Sequence, residues 1–162
     1  MNIKTINIGN PEKALQSLNE IKNKNYGNVD IKIENLHLKD LNKLIDRTVF
    51  KQNDAYINAE TLWESMQPVG LKIEHNTHGF TPSNLLSIFE SLSNPFCILK
   101  THFNRYTLIS SIFINTTRVL TIIEINAPLN KKKNARINKI VTIYPKDRID
   151  KYIGKRTILY IK

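Results

Sequence analysis

The sequence predicts an α+β fold, with N-terminal helices packed on a C-terminal antiparallel β-sheet. Three observations predict it. Apolar residues recur at helical spacing through much of the chain up to Pro95. Four long apolar runs suited to strands follow. Turn residues separate these runs at short intervals, as in a meander. The 162 residues are 41% hydrophobic, which suits one ordinary domain with a real core. Residues 1–70 read as a helical N-terminal elaboration or a small subdomain, and residues 71–162 as the main unit.

The elements follow in order. Ile3 to Ile8 alternates imperfectly and predicts a short edge strand. Asn10-Pro11 starts a helix whose face carries Ala14, Leu15, Leu18 and Ile21. Val29, Ile31 and Ile33 alternate and predict a strand, and DAYI predicts a short extended piece. Leu38, Leu41, Leu44, Ile45 and Val49 predict a second amphipathic helix, and Ala59 to Met66 a third. LKIEH reads as extended and THGF as a turn. Thr81 is a good N-cap with Pro82 in the first helical position. The helix after it buries Leu85, Leu86, Phe89 and Leu92 and stops before Pro95. FCILKT, RYTLISSIFI, RVLTIIEI and INKIVTIY predict strands, with a tight hairpin turn at Asn115-Thr116-Thr117. APLNKKKNAR predicts a polar basic loop, Asp147 to Ile153 a short helix or turn, and TILYI a last strand.

Charge is distributed unevenly. Residues 1–70 hold 9 basic and 9 acidic side chains, whereas residues 71–162 hold 15 basic and 5 acidic, so the whole +10 excess lies in the second half. A one-sided excess of this kind favours a polyanion, most often nucleic acid. The single cysteine, Cys97, sits among apolar neighbours and excludes an internal disulfide framework and a Cys-rich zinc site. No apolar run approaches the roughly 20 residues that span a bilayer, and the N-terminus reads as lacking a secretory signal.

Four histidines are available for chemistry: His37, His75, His78 and His102. His75 and His78 lack the carboxylate and thiolate partners that a zinc site needs, so no metal and no cofactor is expected. His78 precedes a glycine and approaches a helix N-terminus, where an anion is favoured. Thr142 and Tyr144 alternate with Val141 and Ile143, which places both polar side chains on one strand face. Lys100 and His102 share a face on the same reasoning, with Arg105 close after, and Thr107, Ser110 and Ser111 add hydroxyls. Lys131, Lys132, Lys133, Arg136 and Lys139 form a basic stretch suited to phosphate contacts, which position a nucleic acid without reading it.

HG-F-T, an amphipathic helix ending in NP, ILK, two long strands and N-K-I-V-T-I-Y-P-K-D together resemble phage MuF-type C-terminal toxin domains. Those belong to the barnase–EndoU–colicin–RelE group of ribonucleases. The resemblance covers about His75 to Ile153 and rests on motif order and spacing. It implies a barnase-like fold, with His78 as catalytic histidine, Lys100 as strand base, and Thr142 and Tyr144 as late hydroxyl and aromatic. Thr101 and Thr142 stand where serine is common in the family. His75 is close enough to His78 to be the alternative.

The expected function is a metal-independent endoribonuclease toxin that uses the RNA 2′-hydroxyl and leaves a 2′,3′-cyclic phosphate. His78 would act as base, Lys100 with Arg105 or Lys139 would stabilise the phosphorane, and Tyr144 or His102 would act as acid. An acidic immunity protein is an expected partner, and action in the cytoplasm follows delivery by phage or a secretion system. The alternatives are a noncatalytic RNA- or DNA-binding module, with Tyr106 and Tyr144 stacking on bases, and a phage-associated partner-binding protein.

Overall fold

Alternating apolar residues and short polar breaks produce eight strands and five α-helices among the described residues. The structure is a computed structural model that describes residues 3–70, 77–129 and 132–162, with the backbone alone at Lys132 and Lys133. His75 and Lys131 therefore lie outside the described residues, as does the expected LKIEH extended piece.

The N-terminal half supplies β1 (Thr5–Asn7), α1 (Pro11–Asn23), β2 (Asp30–Glu34), α2 (Leu41–Ile45), β3 (Ala55–Asn58) and α3 (Ala59–Met66). The second half supplies α4 (Pro82–Ser91), β4 (Cys97–His102), β5 (Arg105–Ile114), β6 (Thr117–Leu129), β7 (Lys132–Lys146), α5 (Ile149–Ile153) and β8 (Thr157–Ile161). One sheet holds all eight strands in the order β1-β2-β3-β7-β6-β5-β4-β8. The meander from β4 to β7 is antiparallel, but β1 pairs with β2 and β3 with β7 in parallel. The fold is thus mixed α/β, richer in strands than helices followed by a meander.

Local chemistry explains most boundaries. Asn10 caps α1, with Pro11 at its start. Thr81 and Asn84 form a reciprocal capping box on α4, each side chain accepting from the other's backbone N–H. Asn115 and Thr116 both adopt left-handed conformations, the geometry of a two-residue hairpin turn that follows strand twist. The second N-terminal helix is shorter than its periodicity predicts. A 3-10 turn over Leu38–Asp40 leads into α2, and left-handed Asp46 ends it. Asn42 then holds the following loop, accepting from Val49 and Phe50 N–H and donating to the Phe50 carbonyl. Local side-chain bonds of this kind compete with helix continuation. The described part of the expected basic loop, on both sides of residues 130–131, is strand instead. Pairing continues through Ala127↔Ile137 and Pro128↔Arg136, so β6 and β7 extend into a long two-stranded arm.

Two apolar clusters cover the sheet. The larger joins Leu18 and Ile21 of α1, Leu62 of α3 and Leu85, Ile88 and Phe89 of α4 to Ile98, Leu108, Val119, Ile123, Ile140 and Ile143. Burying each such side chain stabilises the fold by about 1.5–3 kcal/mol relative to exposure. The smaller joins Cys97, Leu99, Ile109 and Leu120 to Ile153 of α5, with Phe96, Tyr144, Ile149 and Tyr152 at its margin. Adjacent strand residues alternate between the two clusters, which therefore occupy opposite faces. Burial in the second cluster raises the Cys97 thiol to about 11, as expected of an inert buried cysteine.

Candidate functional site

The second sheet face carries most of the polar residues that could do chemistry. Strand register places them in rows. Tyr144 lies opposite Leu120, which lies opposite Ile109, which lies opposite Cys97. Thr142 lies opposite Ile122, then Thr107, then Leu99. Lys139 lies opposite Glu124, then Arg105, then His102. The last row spans four adjacent strands. Within it, Arg105 Nε donates to Glu124 Oε1 at 3.0 Å, with both side chains partly exposed.

Two bulges set this arrangement. Ile122 pairs with Thr142 but Ile123 pairs with Ile140, so Val141 is an extra residue on β7. A bulge of one residue re-phases every side chain beyond it. It allows Ile140 and Ile143, three apart, to face the larger cluster together, and puts Lys139 on the face of Thr142 and Tyr144. On β4, Lys100 pairs with Tyr106 and His102 with Arg105, with the register shift between them. Tyr106 and Arg105 are neighbours and point to opposite faces, so Lys100 and His102 do too. The expectation that those two share a face is corrected by this bulge. Lys100 Nζ instead lies 3.4 Å from the Tyr106 hydroxyl and 5.0 Å from its ring centroid.

At the other end of the second face lies an open cleft of about 480 Å³, lined by Tyr144, Lys146, Asp147, Arg148, Lys151, Tyr152, Lys155 and Arg156. The Arg156 guanidinium stacks 3.6 Å from the Tyr152 ring centroid and donates to the Tyr152 carbonyl. Burial, then a side-chain hydrogen bond with Tyr152 and that phenol's charge, push the Tyr144 hydroxyl well above its ordinary value, and Arg156 partly offsets this. Tyr144 is thus a neutral phenol at any physiological pH.

His78 reaches this end of the sheet. Its ring centroid is 6.5 Å from that of Tyr144 and 5.6 Å from that of Phe80. Gly79 follows with a left-handed φ of +65°, and its N–H donates to the Gln67 carbonyl, which fixes the turn beside α3. Burial holds the His78 imidazole below its ordinary pKa, because the charged ring loses solvation. Its Nε2 is fully buried without a hydrogen-bond partner.

The structure therefore brings His78 to Tyr144, and sets Thr142, Lys139, Arg105 and His102 on the same face as Tyr144. It puts Lys100 on the opposite face from Tyr144, Thr142, Lys139, Arg105 and His102. Arg136 is exposed on the β6–β7 arm, opposite Pro128. Lys132 opens β7 opposite Leu129, and Lys133 follows it. The hydroxyls of the neighbouring strand are structural: Thr107 is buried, and Ser110 accepts from Val119 N–H while donating to the Ile112 carbonyl. Sequence reasoning missed Glu124, Lys151 and Tyr152 of α5, and Lys155 and Arg156 just after that helix. A signal for Glu124 existed, since it is the only carboxylate between Glu90 and Asp147 in the most basic part of the chain. A signal for α5 also existed in the interleaved bases and tyrosine of KDRIDKYIGKR.

Among the described residues, no helix is long and apolar enough to cross a membrane, and no cluster of three metal-ligating side chains occurs. No curated protein and no solved structure matches the chain. Residues 70–162, more than half of the chain, match the family model of the phage MuF C-terminal domain, and the chain belongs to that family.

Proposed function

We propose that this protein is a metal-independent endoribonuclease of the barnase–EndoU–colicin–RelE kind, and that its reaction centre is the row Lys139–Glu124–Arg105–His102. The single observation that carries the reading is this row of base, acid and cations, side by side on one exposed sheet face. Glu124 as carboxylate accepts the proton of the RNA 2′-hydroxyl, and that oxygen attacks phosphorus. His102 gives a proton to the departing 5′-oxygen. Arg105 and Lys139 stabilise the charge that grows on the phosphorane oxygens. The products are a 2′,3′-cyclic phosphate and a 5′-hydroxyl. Arg105 has a further role, because its 3.0 Å bond orients the Glu124 carboxylate.

A second reading of the same reaction places it at His78 and Tyr144. It is favoured by their ring contact and by the neutral imidazole, which suits a general base. One assay separates the two. RNA is incubated with the protein in EDTA, and the ends of the products are identified. Glu124→Gln and His102→Ala are expected to slow cleavage by about 10²–10⁴-fold, while His78→Ala acts mainly on stability. If His78→Ala abolishes cleavage and Glu124→Gln does not, the second reading holds. If no variant differs from an inactive parent, the protein is a binding module. An acidic inhibitor that covers this basic face, and action in the cytoplasm of a target cell, belong to the same proposal.

A further inference from the structure

We infer that the cleft at α5 is a separate phosphate subsite, which makes the substrate a single strand longer than one phosphodiester. The inference rests on the ribonuclease reading for the identity of the strand. Five cations line the cleft, Lys146, Arg148, Lys151, Lys155 and Arg156, against one acid, Asp147. None of the five has a carboxylate within ion-pair distance among the described residues, whereas elsewhere Lys32 has two and Arg105 has one. Mutually repelling cations left unpaired around one concavity cost stability unless an anion enters.

The chemistry favours a phosphate over a base. Arg156 covers a face of the Tyr152 ring at 3.6 Å and is tied to the Tyr152 carbonyl. That face is not free to stack a base. It holds a planar guanidinium in place instead, the group suited to bidentate phosphate recognition. Lys146 Nζ lies 6.0 Å from the same ring centroid.

Spacing makes the cleft distinct from the reaction centre. Tyr144, which lines it, lies opposite Leu120, and Glu124 is four residues further along β6. At about 3.3 Å per residue the two points are roughly 13 Å apart along the sheet. A dinucleoside monophosphate has no second phosphate to place there. A longer strand has one, on the same face.

The test uses the full chain and 2′-fluoro oligoribonucleotides, which lack the attacking hydroxyl and are bound without being cut. Lys151 and Lys155 are both exposed, so the doubles Lys151→Ala/Lys155→Ala and Lys151→Glu/Lys155→Glu should fold, which circular dichroism checks. Fluorescence anisotropy gives the affinity for an octanucleotide, and NMR titration that for a dinucleoside monophosphate. The preference for the octanucleotide is expected to fall about tenfold in the alanine double and further in the glutamate double, as for lost charge-assisted contacts. The slope of log affinity against log salt should shrink by about 0.7 per lost phosphate contact. The control Lys13→Ala/Lys39→Ala should keep the parental preference. Equal losses for both ligands, the same loss in the control, or no loss, overturns the subsite. A parent that binds with this preference but never cuts unmodified RNA leaves the subsite standing and removes the ribonuclease reading.

Discussion

His78 has a half-buried ring whose Nε2 has no partner, and a buried polar atom of this kind destabilises by about 1–3 kcal/mol. Burial lowers its folded pKa below the ordinary 6.5, so the unfolded chain binds a proton more readily than the folded one. Stability from this group is therefore complete above pH 6.5 and is lost as pH falls from there through the folded pKa. His78→Gln should flatten that acid dependence. Urea midpoints of parent and variant at neutral and mildly acid pH would measure it, and an unchanged difference would contradict the burial account. Glu124 contrasts with His78. It is partly exposed and held by Arg105 alone among the described residues. Its substitution should therefore change chemistry far more than stability, and the thermal midpoint of Glu124→Gln should stay close to the parent's.

Two elements position the flanks of these sites. α4 packs on the first face; it is held at its start by Thr81 and Asn84, and its N-terminal turn follows directly on the His78 segment. Thr81→Ala should destabilise by about 1 kcal/mol in denaturant unfolding. α5 is only one and a half turns long, too short to be stable alone. Its main apolar anchor is Ile153, packed with Cys97, Leu99, Ile109 and Leu120. Ile153→Ala should cost about 2–5 kcal/mol. It should also weaken octanucleotide binding, although Ile153 does not line the cleft, because the helix that carries Lys151 and Tyr152 would lose its seat. Undiminished binding by a folded Ile153→Ala protein would show that α5 is held by other means.

The sheet runs through the whole molecule. β3 joins β7 at Tyr56↔Lys139 and Ile57↔Ile140, beside the proposed reaction centre. Buried Asn138 reinforces the junction by donating to the Gln52 and Asp54 carbonyls, and Gln52 donates to the Arg136 carbonyl. The larger cluster draws side chains from both halves of the chain. A fragment of residues 70–162 would expose Ile140, Ile143 and the inner face of α4. It should show no cooperative thermal transition, whereas the whole chain should. A sharp transition in the fragment would make the first 70 residues an accessory.

Much of this was legible in the amino-acid order, and the reasons are local. Helix caps at Asn10 and Thr81, the turn at Asn115-Thr116, the strand run of the meander and the one-sided charge each depend on neighbouring residues. Their signals survive without knowledge of the fold. Which side chains meet was less legible. Lys100 and His102 look like facing partners at two-residue spacing until one bulge turns them apart, and Val141 re-phases β7 with no distinctive residue to announce it. Glu124 gains its setting from strands on either side, Arg105 at 19 residues' separation and Lys139 at 15. Periodicity reports the face of a side chain only while a strand stays regular. Register across strands is chosen by the summed packing of both clusters, which exists only once the chain has folded.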